Sequence, residues 1–397
     1  MKKVLVPRVR FKGFDDNWEQ GNIGEVFELT RGEVLSQRKI RNKKMGEYIY
    51  PVFSSQTLNN GLLGFYNNFL FKNSITWTTD GANAGTVLYR DGLFYATNIC
   101  GVMLQKTSIK PSSYFAHEIN VKVKKHVIKA GNPKLMINVL HEVLINFSKN
   151  KLEQEKISIL IENIDNLIAH EEIKLNKLKQ LKQTLLQKMF PEGNSKTPRI
   201  RFKGFDEEWK EERLENIYSF ASEGGTPDTN KDIYYKPGLF YFTKIEDMAN
   251  KYIYHTKAKI SELGLKNSSA WIIPKNNILF SNGATIGNVS INKVDLSTKQ
   301  GIVGMIIKKK FNLEFIYYLL KSENFQSKVA EKITVGTIPT VAIFNLKKIE
   351  LFLSKNIYEQ QKIGDFFFKI DTLLDLYNSK LNKLRQIKEA LLQKMFV

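Results

Sequence analysis

Residue patterns that could support catalysis are few in this chain of 397 residues. The five histidines are scattered without the spacing of metal ligands, and no glycine-rich phosphate loop is present. Asn132-Pro133-Lys134-Leu135 partly matches the Asn-Pro-Pro-aromatic motif of DNA amino-methyltransferases, but it lacks the second proline and the aromatic residue. Pro227-Asp228 would open a nuclease motif, but no Asp/Glu-x-Lys follows it. We interpret both as turns, and the sequence predicts no catalytic site.

The charge of the chain points to a polyanionic partner. Lys and Arg total 60 against 40 for Asp and Glu, a formal net charge of +20, so nucleic acid is the first candidate. A membrane is not expected as a partner, because no apolar run approaches roughly 18 residues. The N-terminal residues lack the apolar core of a signal peptide. The single Cys100 allows no disulfide within the chain, so a reducing cytoplasm is the expected location.

One long stretch of sequence occurs twice, beginning at Glu153 and again at Glu359, and it could position the residues that contact nucleic acid. Both copies contain Glu-Gln-x-Lys-Ile, Leu-Asn-Lys-Leu and Leu-Leu-Gln-Lys-Met-Phe. Apolar residues seven apart form a row in each copy: Ile363, Ile370, Tyr377, Leu384 and Leu391, and Ile157, Ile164, Leu178 and Leu185, with Glu171 as the exception. A second row in the first copy consists of Ile161, Ile168, Leu175 and Leu181. This period predicts two helices of roughly 57 Å that pair with each other, a helical hairpin within a larger core being the alternative. An antiparallel pair is expected, because a parallel pair would crowd both variable domains at one end.

A second repeated segment precedes each variable region. Pro7 to Glu19 returns as Pro198 to Lys210, so leader, variable domain and long helix occur twice in the same order. Asn150 and Asn356 each lie three residues before the repeated glutamate, which is the spacing of a helix N-cap. The predicted boundaries are leader and first variable domain 1–150, first long helix 151–190, linker 191–197, second leader and variable domain 198–356, and second long helix 357–397.

The two variable domains align weakly. TTDGANAGTV at 78–87 is similar to FSNGATIGNV at 280–289, and TNICGVML at 97–104 is similar to TKQGIVGM at 298–305. These short β-like runs are punctuated by Gly and Asn. The predicted fold class is α+β, with two mixed α/β, β-rich domains separated by two long antiparallel coiled-coil helices in a pseudo-twofold tandem duplication.

This duplicated order resembles the specificity (S) subunit of type I restriction-modification enzymes, the HsdS family, over essentially the whole chain. The elements that carry the resemblance are Arg-Phe-x-Gly-Phe with Trp18 and Trp209, Gly224-Gly225-Thr226-Pro227, Gly283-Ala284-Thr285-Ile286-Gly287, and the two Glu-Gln helix starts. Two features depart from the family pattern. Ser-Lys-Asn stands in both places where a proline often precedes Glu-Gln, and Lys299-Gln300 replaces the usual Asn-Gln.

The resemblance implies a non-catalytic subunit in which each variable domain is a target-recognition domain that reads half of a bipartite, asymmetric DNA site. The helices would set the gap between the halves. Two methyltransferase (M) subunits would dock on the repeated regions and carry S-adenosylmethionine, while this chain binds no cofactor and no metal. Restriction (R) subunits are an open partner. Two alternatives are a coiled-coil scaffold without sequence-selective DNA binding and a self-contained DNA-modifying enzyme.

Candidate DNA contacts follow from the chemistry of phosphates and base edges, which are contacted by basic, amide and hydroxyl side chains. In the first domain they are a basic run and two polar turns: Arg31, Arg38, Lys39, Arg41, Lys43 and Lys44, then Ser54, Ser55, Gln56, Thr78 and Thr79. A solvated loop is the alternative for the basic run. In the second domain they are Thr226, Thr243, Lys244, Ser281, Asn282, Lys299, Gln300 and Thr337.

Overall fold

The structure is a computed structural model that describes residues 5–55, 58–334, 336 and 339–396. The chain divides into two compact units. Unit 1 comprises Met1–Glu172 and Ser379–Val397, and unit 2 comprises Ile173–Asn378. The division falls within both long helices, so each helix belongs partly to one unit and partly to the other.

Unit 1 is built mainly from strands. Its elements are β1 (Glu19–Asn22), α1 (Ile23–Val26), β2 (Phe27–Arg31), β3 (Tyr50–Phe53), β4 (Leu62–Tyr66), β5 (Phe71–Thr78), β6 (Val87–Ala96), β7 (Cys100–Gln105), α2 (Ser113–Val123), α3 (Ile137–His141), β8 (Leu144–Phe147) and the first part of the long helix α4 (Lys151–Lys188). One sheet has the order β2-β7-β5-β6-β3-β4, and its neighbours are antiparallel except for the parallel pair β3 and β6. A separate ribbon joins β1 to β8, so the entry and exit of the variable domain are adjacent.

Unit 2 repeats this plan with more elements. They are β9 (Lys210–Arg213), β10 (Tyr218–Glu223), β11 (Phe240–Thr243), β12 (Tyr252–Ile253), β13 (Ala258–Ile260), α5 (Glu262–Lys266), β14 (Ile278–Ser281), β15 (Val289–Asn292), β16 (Leu296–Thr298), β17 (Ile302–Ile307), α6 (Leu313–Lys321), α7 (Glu323–Ala330), α8 (Ile343–Lys347), β18 (Glu350–Leu353) and the first part of the long helix α9 (Ile357–Met395). The sheets have the orders β10-β17-β14-β15-β12 and β13-β11-β16, and a β9–β18 ribbon closes the domain as β1–β8 does in unit 1.

The long helices begin as the sequence predicts. The Asn150 side chain accepts hydrogen bonds from the backbone N–H groups of Leu152 and Glu153, at 3.0 and 3.4 Å. Asn356 does the same for Tyr358 and Glu359, at 2.9 and 3.4 Å. Both predicted N-caps are therefore confirmed, because each asparagine satisfies amide groups that the first helical turn leaves without partners.

A buried ion pair fastens the first leader to the start of α4. The Arg10 guanidinium donates Nε to Glu153 Oε1 at 2.6 Å and Nη2 to Oε2 at 3.0 Å. The indole N–H of Trp18 donates to the same Oε2 at 3.3 Å. The Glu153 side chain is fully buried, and its hydrogen bond raises the pKa of Arg10. We call this arrangement the clasp.

Unit 2 contains the same clasp. Arg201 bonds to Glu359 at 2.6 and 2.9 Å, and Trp209 donates to Glu359 at 3.2 Å. Because leader and helix start are both repeated in the sequence, the clasp is repeated with nearly identical geometry.

The two long helices run antiparallel in each unit. In unit 1, Ile157 and Ile161 are buried, and Leu391 and Leu392 pack against the same core. In unit 2 the core takes in buried Ile363, Phe367 and Ile370, with Leu178, Leu185 and Leu186 packed against it. Early residues of one helix therefore share a core with late residues of the other, which confirms the predicted antiparallel pair and the fold class.

Ion pairs between the helices follow the same repeat. Lys388 Nζ lies 2.5 Å from Asp165 in unit 1, and Lys182 pairs with Asp371 in unit 2. Glu171, which interrupts the apolar row of the first copy, is buried and accepts from Lys380 Nζ at 2.9 Å. Leu181, a member of the second predicted apolar row, does not belong to the buried contact between the helices, because 51% of it is exposed.

A buried carboxyl group makes the stability of unit 1 sensitive to pH. Glu118 on α2 is fully buried, and its Oε1 accepts from the Asn146 backbone N–H at 2.9 Å. Burial raises the pKa of Glu118 to about 7. Because an unfolded glutamate titrates near pH 4.3, the folded state holds an extra proton between these values, and its stability falls as pH rises through 7.

Replacing Glu118 by glutamine should remove this dependence. We expect Glu118→Gln to be more stable than the native chain at pH 8 by on the order of 1–3 kcal/mol, with a much smaller difference at pH 4. Urea unfolding at the two pH values measures this. An equal stability difference at both pH values would contradict the assigned protonation.

Candidate DNA interface

Polar loops of unit 1 meet where β3, β5 and β6 end. The Thr79 hydroxyl lies 2.9 Å from the Ile99 carbonyl and 2.6 Å from the Asp80 carboxylate, two acceptors for its proton. The Thr97 hydroxyl donates to Ser54 Oγ at 3.0 Å. Three loops that are distant in sequence are thereby held together, and we call this group the first cluster.

Two further loops join the first cluster. The Ser55 hydroxyl donates to the Ile99 carbonyl, and the ammonium group of Lys134 lies 3.8 Å from Asp80 Oδ1. Arg31 ends β2 opposite Gly101 on β7, so it lies at the same edge of the sheet. The cluster therefore presents basic, acidic and hydroxyl groups side by side.

Unit 2 holds a second cluster at the matching edge. Glu223 Oε1 accepts from the Gly301 backbone N–H at 2.6 Å, and the Asn282 N–H donates to the Gly301 carbonyl at 3.0 Å. The Lys299 N–H donates to the Thr243 carbonyl at 2.9 Å. Four loops meet here, and two of the residues, Thr243 and Asn282, are buried.

Backbone hydrogen bonds match the two clusters residue by residue. The Leu135 N–H donates to the Thr79 carbonyl at 2.9 Å, as the Val341 N–H donates to the Asn282 carbonyl at 2.8 Å. Thr79 therefore corresponds to Asn282. The sequence alignment instead pairs Thr79 with Ser281 and is wrong by one residue.

The same correction applies to the loops that follow β6 and β16. The Thr97 N–H donates to the Phe53 carbonyl and the Lys299 N–H donates to the Thr243 carbonyl, both at 2.9 Å. Thr97 therefore corresponds to Lys299. The sequence alignment pairs it with Thr298, again one residue out of register.

Glycine is required directly after β2 and β10, where the chain passes close to the ends of β6 and β16. A Cβ on Gly32 would lie 2.0 Å from the Ala96 carbonyl oxygen, and one on Gly224 would lie 2.0 Å from the Thr298 carbonyl oxygen. Only glycine allows this approach, which accounts for Gly32 and for Gly224, the first of the two glycines before Thr226.

Several polar atoms of unit 2 at or beside the second cluster are buried without a partner among the residues that the structure describes. They are Thr226 Oγ1, Thr243 Oγ1 and Asn282 Oδ1. Burying a polar group without a hydrogen bond costs about 1–3 kcal/mol. Such atoms are typical of a surface that meets ordered water or a ligand.

The basic run of unit 1 lies on an exposed segment. Arg38, Lys39, Arg41, Lys43 and Lys44 are all exposed. The Arg41 guanidinium lies 5.1 Å from the centre of the Tyr48 ring, and Lys44 Nζ lies 5.5 Å from that of Phe65. Aromatic support of this kind keeps charged groups in solvent, where phosphates can reach them.

The comparison with known families decides what the chain is. The family model described as "Type I restriction modification DNA specificity domain" matches residues 15–180 and again 206–386. The chain belongs to this family. A specificity subunit is the non-catalytic chain of its enzyme, so membership decides against a self-contained enzyme and against a scaffold without DNA specificity.

Relatives match over most of the chain. A putative type I specificity subunit of Mycoplasma pneumoniae is 28% identical over 311 residues, covering 76% of this chain and 77% of that protein. One of Mycoplasma genitalium is 23% identical and covers 99% and 97%. The crystal structure of a type I restriction-modification S subunit from M. genitalium has a TM-score of 0.64 at 19% identity, covering 99% of each chain, and this likeness concerns the fold.

The predicted contact residues of the target-recognition domains fall into three groups. Exposed residues are Arg31, Arg38, Lys39, Arg41, Lys43, Lys44, Lys244, Lys299 and Gln300, and partly exposed ones are Ser55, Thr78 and Thr226. Buried ones are Ser54, Thr79, Thr243, Ser281 and Asn282. Gln56 and Thr337 lie outside the described residues. The Ser281 hydroxyl donates to the Thr285 carbonyl and so holds its own turn.

Sequence reasoning missed several residues that the clusters contain. Among them are Thr97, Asn98, Ile99, Lys134, Glu223 and Gly301. Asn98 follows Thr97 within a segment already singled out as repeated. The signal was therefore present, but the shifted alignment placed Asn98 opposite Lys299 instead of Gln300. In residues 5–55, 58–334 and 339–396, no group of His, Cys, Asp and Glu could hold a metal ion. No helix in the described part of the chain is long and apolar enough to span a membrane.

Proposed function

We propose that the two clusters each read one half of a bipartite, asymmetric DNA site. The observation that carries this proposal is their correspondence: matching loops on matching strands hold different side chains. Arg31 corresponds to Glu223, since they face Gly101 and Val303 at the same place in β7 and β17. Two clusters with the same backbone arrangement but different side chains are suited to two different DNA sequences, because direct readout depends on the donors and acceptors offered to base edges.

The exposed basic residues bind phosphates and position the domain. Arg38, Lys39, Arg41, Lys43 and Lys44 supply exposed positive charge without selecting a sequence. Buried residues such as Thr79 and Asn282 hold the loops, and exposed ones such as Lys299 and Gln300 meet the DNA. The long helices set the spacing of the two halves.

The partners in this proposal are double-stranded DNA and two methyltransferase subunits, which dock on the two repeated leader and helix surfaces. S-adenosylmethionine binds to those subunits, and restriction subunits join the same assembly in the cytoplasm. Two copies of one surface support two copies of one partner, because the clasps at Glu153 and Glu359 have the same geometry.

Methylome sequencing of cells with and without this chain tests the proposal. In the presence of the methyltransferase subunit of its own system, we expect methylation of one split site that disappears when this chain is deleted. The purified chain alone should transfer no methyl groups to DNA. Methylation that persists without the chain, or transfer by the chain alone, would overturn the proposal.

A further inference from the structure

Two carboxamide side chains occupy corresponding positions in the two clusters. Asn98 follows Thr97, and Gln300 follows Lys299, the two residues whose N–H groups bind the neighbouring strand in the same way. The residue after each carboxamide is also held alike. The Ile99 carbonyl accepts from the Thr79 hydroxyl at 2.9 Å, and the Gly301 carbonyl accepts from the Asn282 N–H at 3.0 Å.

The positions around the carboxamides differ in chemistry. Thr97 corresponds to Lys299, and Thr79 corresponds to Asn282. Asp80 corresponds to Gly283, since they bridge Lys134 and Thr340 respectively. Both clusters have an exposed carboxamide at this corresponding position, although the neighbouring residues differ. This indicates that the two DNA half-sites share a chemical feature that a carboxamide recognises.

Both carboxamides are available to a ligand. Asn98 and Gln300 are exposed at the tips of their turns. Among the residues that the structure describes, neither side chain has a hydrogen-bond partner. A carboxamide offers one donor and one acceptor side by side, as does the major-groove edge of adenine with its N6 amino group and N7.

We infer that Asn98 and Gln300 are specificity-determining residues that each contact an adenine, through N6 and N7, at corresponding positions of the two half-sites. The inference rests on the proposed function and assigns one recognised base to each half of the DNA site. Asn98 acts in the half read by the first cluster, and Gln300 acts in the half read by the second.

The experiment uses the complex of this chain with its methyltransferase subunit and duplexes that carry the methylated site. Each adenine of the site is replaced in turn by 7-deazaadenine, which lacks the N7 acceptor, or by purine, which lacks the N6 amino group. At one adenine in each half, both analogues should weaken binding of the native complex by about 5- to 150-fold.

Substitution then connects each adenine to one side chain. Asn98→Ala should weaken binding by a similar factor and should no longer respond to the analogues in its own half, while it responds normally in the other half. Gln300→Ala should show the converse, so each variant controls for the other. Asn138→Ala, an exposed asparagine on α3 outside the cluster, should bind as the native chain does.

Three results overturn the inference. A uniform loss of binding to all DNA with a shallower salt dependence would make the carboxamides phosphate contacts. An unchanged response to the analogues in Asn98→Ala and Gln300→Ala would make them bystanders. If the native complex prefers no split site at all, the proposed function fails and takes this inference with it.

Discussion

Glu153→Ala should lower the free energy of unfolding of unit 1 by about 3–5 kcal/mol, because it leaves the Arg10 guanidinium without its partner in a buried site. The side chain of Arg10 is only 10% exposed and that of Glu153 is not exposed at all. The indole N–H of Trp18 would also lose its acceptor. Glu359→Ala should have a similar effect on unit 2, since its clasp distances agree with those of unit 1 to within 0.1 Å.

Hydrogen exchange followed by mass spectrometry measures this effect separately in each unit. Protection should fall in the leader and the start of α4 for Glu153→Ala, and in the second leader and the start of α9 for Glu359→Ala. Glu155→Ala is the matched control, because it removes an exposed carboxylate from the same helix. If Glu155→Ala lowers the free energy of unfolding as much as Glu153→Ala does, the effect comes from the loss of a negative charge at the start of the helix. The clasp would then make no specific contribution to stability.

Exchange of the first target-recognition domain should replace one half of the recognised site and leave the other half as it was. The exchanged segment is 21–150, and its ends are adjacent because Gly21 pairs with Ile145 in the β1–β8 ribbon. The clasp residues Arg10, Trp18 and Glu153 all lie outside the segment. The two junctions of a graft from another family member therefore lie close together at one short ribbon.

The graft must also preserve the packing of its core against the leader and the long helices. Tyr114 packs on Trp18 and on Phe396, with ring centres 6.0 and 5.5 Å apart, so the donor domain should carry an aromatic residue there. Unit 2 has Phe315 at the equivalent place, packed on Trp209. Methylome sequencing reads the outcome. A change in both halves, or in neither, would show that the domains do not read DNA independently.

Local repetition explains how much could be predicted from the sequence. The long helices, their antiparallel pairing, the N-caps at Asn150 and Asn356 and the family all followed from periodic apolar positions and from duplicated segments. Each repeated segment is itself only a few dozen residues long, although its two copies lie far apart in the chain. Helical periodicity and N-capping depend on residues that are close in sequence, so they can be predicted without knowledge of the fold.

The correspondence between the reading clusters was decided by tertiary structure. Alignment by similar letters pairs Thr79 with Ser281 and Thr97 with Thr298, whereas the backbone bonds pair them with Asn282 and Lys299. A shift of one residue turns a side chain to the other face of a strand, so only the strand ladder can fix which loop residues correspond. That shift is what brings Asn98 opposite Gln300.

Partners that are distant in sequence also required the folded chain. The carboxylate of Glu153, in the first turn of α4, is buried against Arg10 and Trp18 of the leader. Phe396, near the C-terminal end of the chain, packs on Trp18, near its beginning. The sequence shows that leader, helix start and helix end are each repeated. Which of them meet depends on how the chain closes on itself, because burial and pairing at such separations are set by the whole core and by no local pattern.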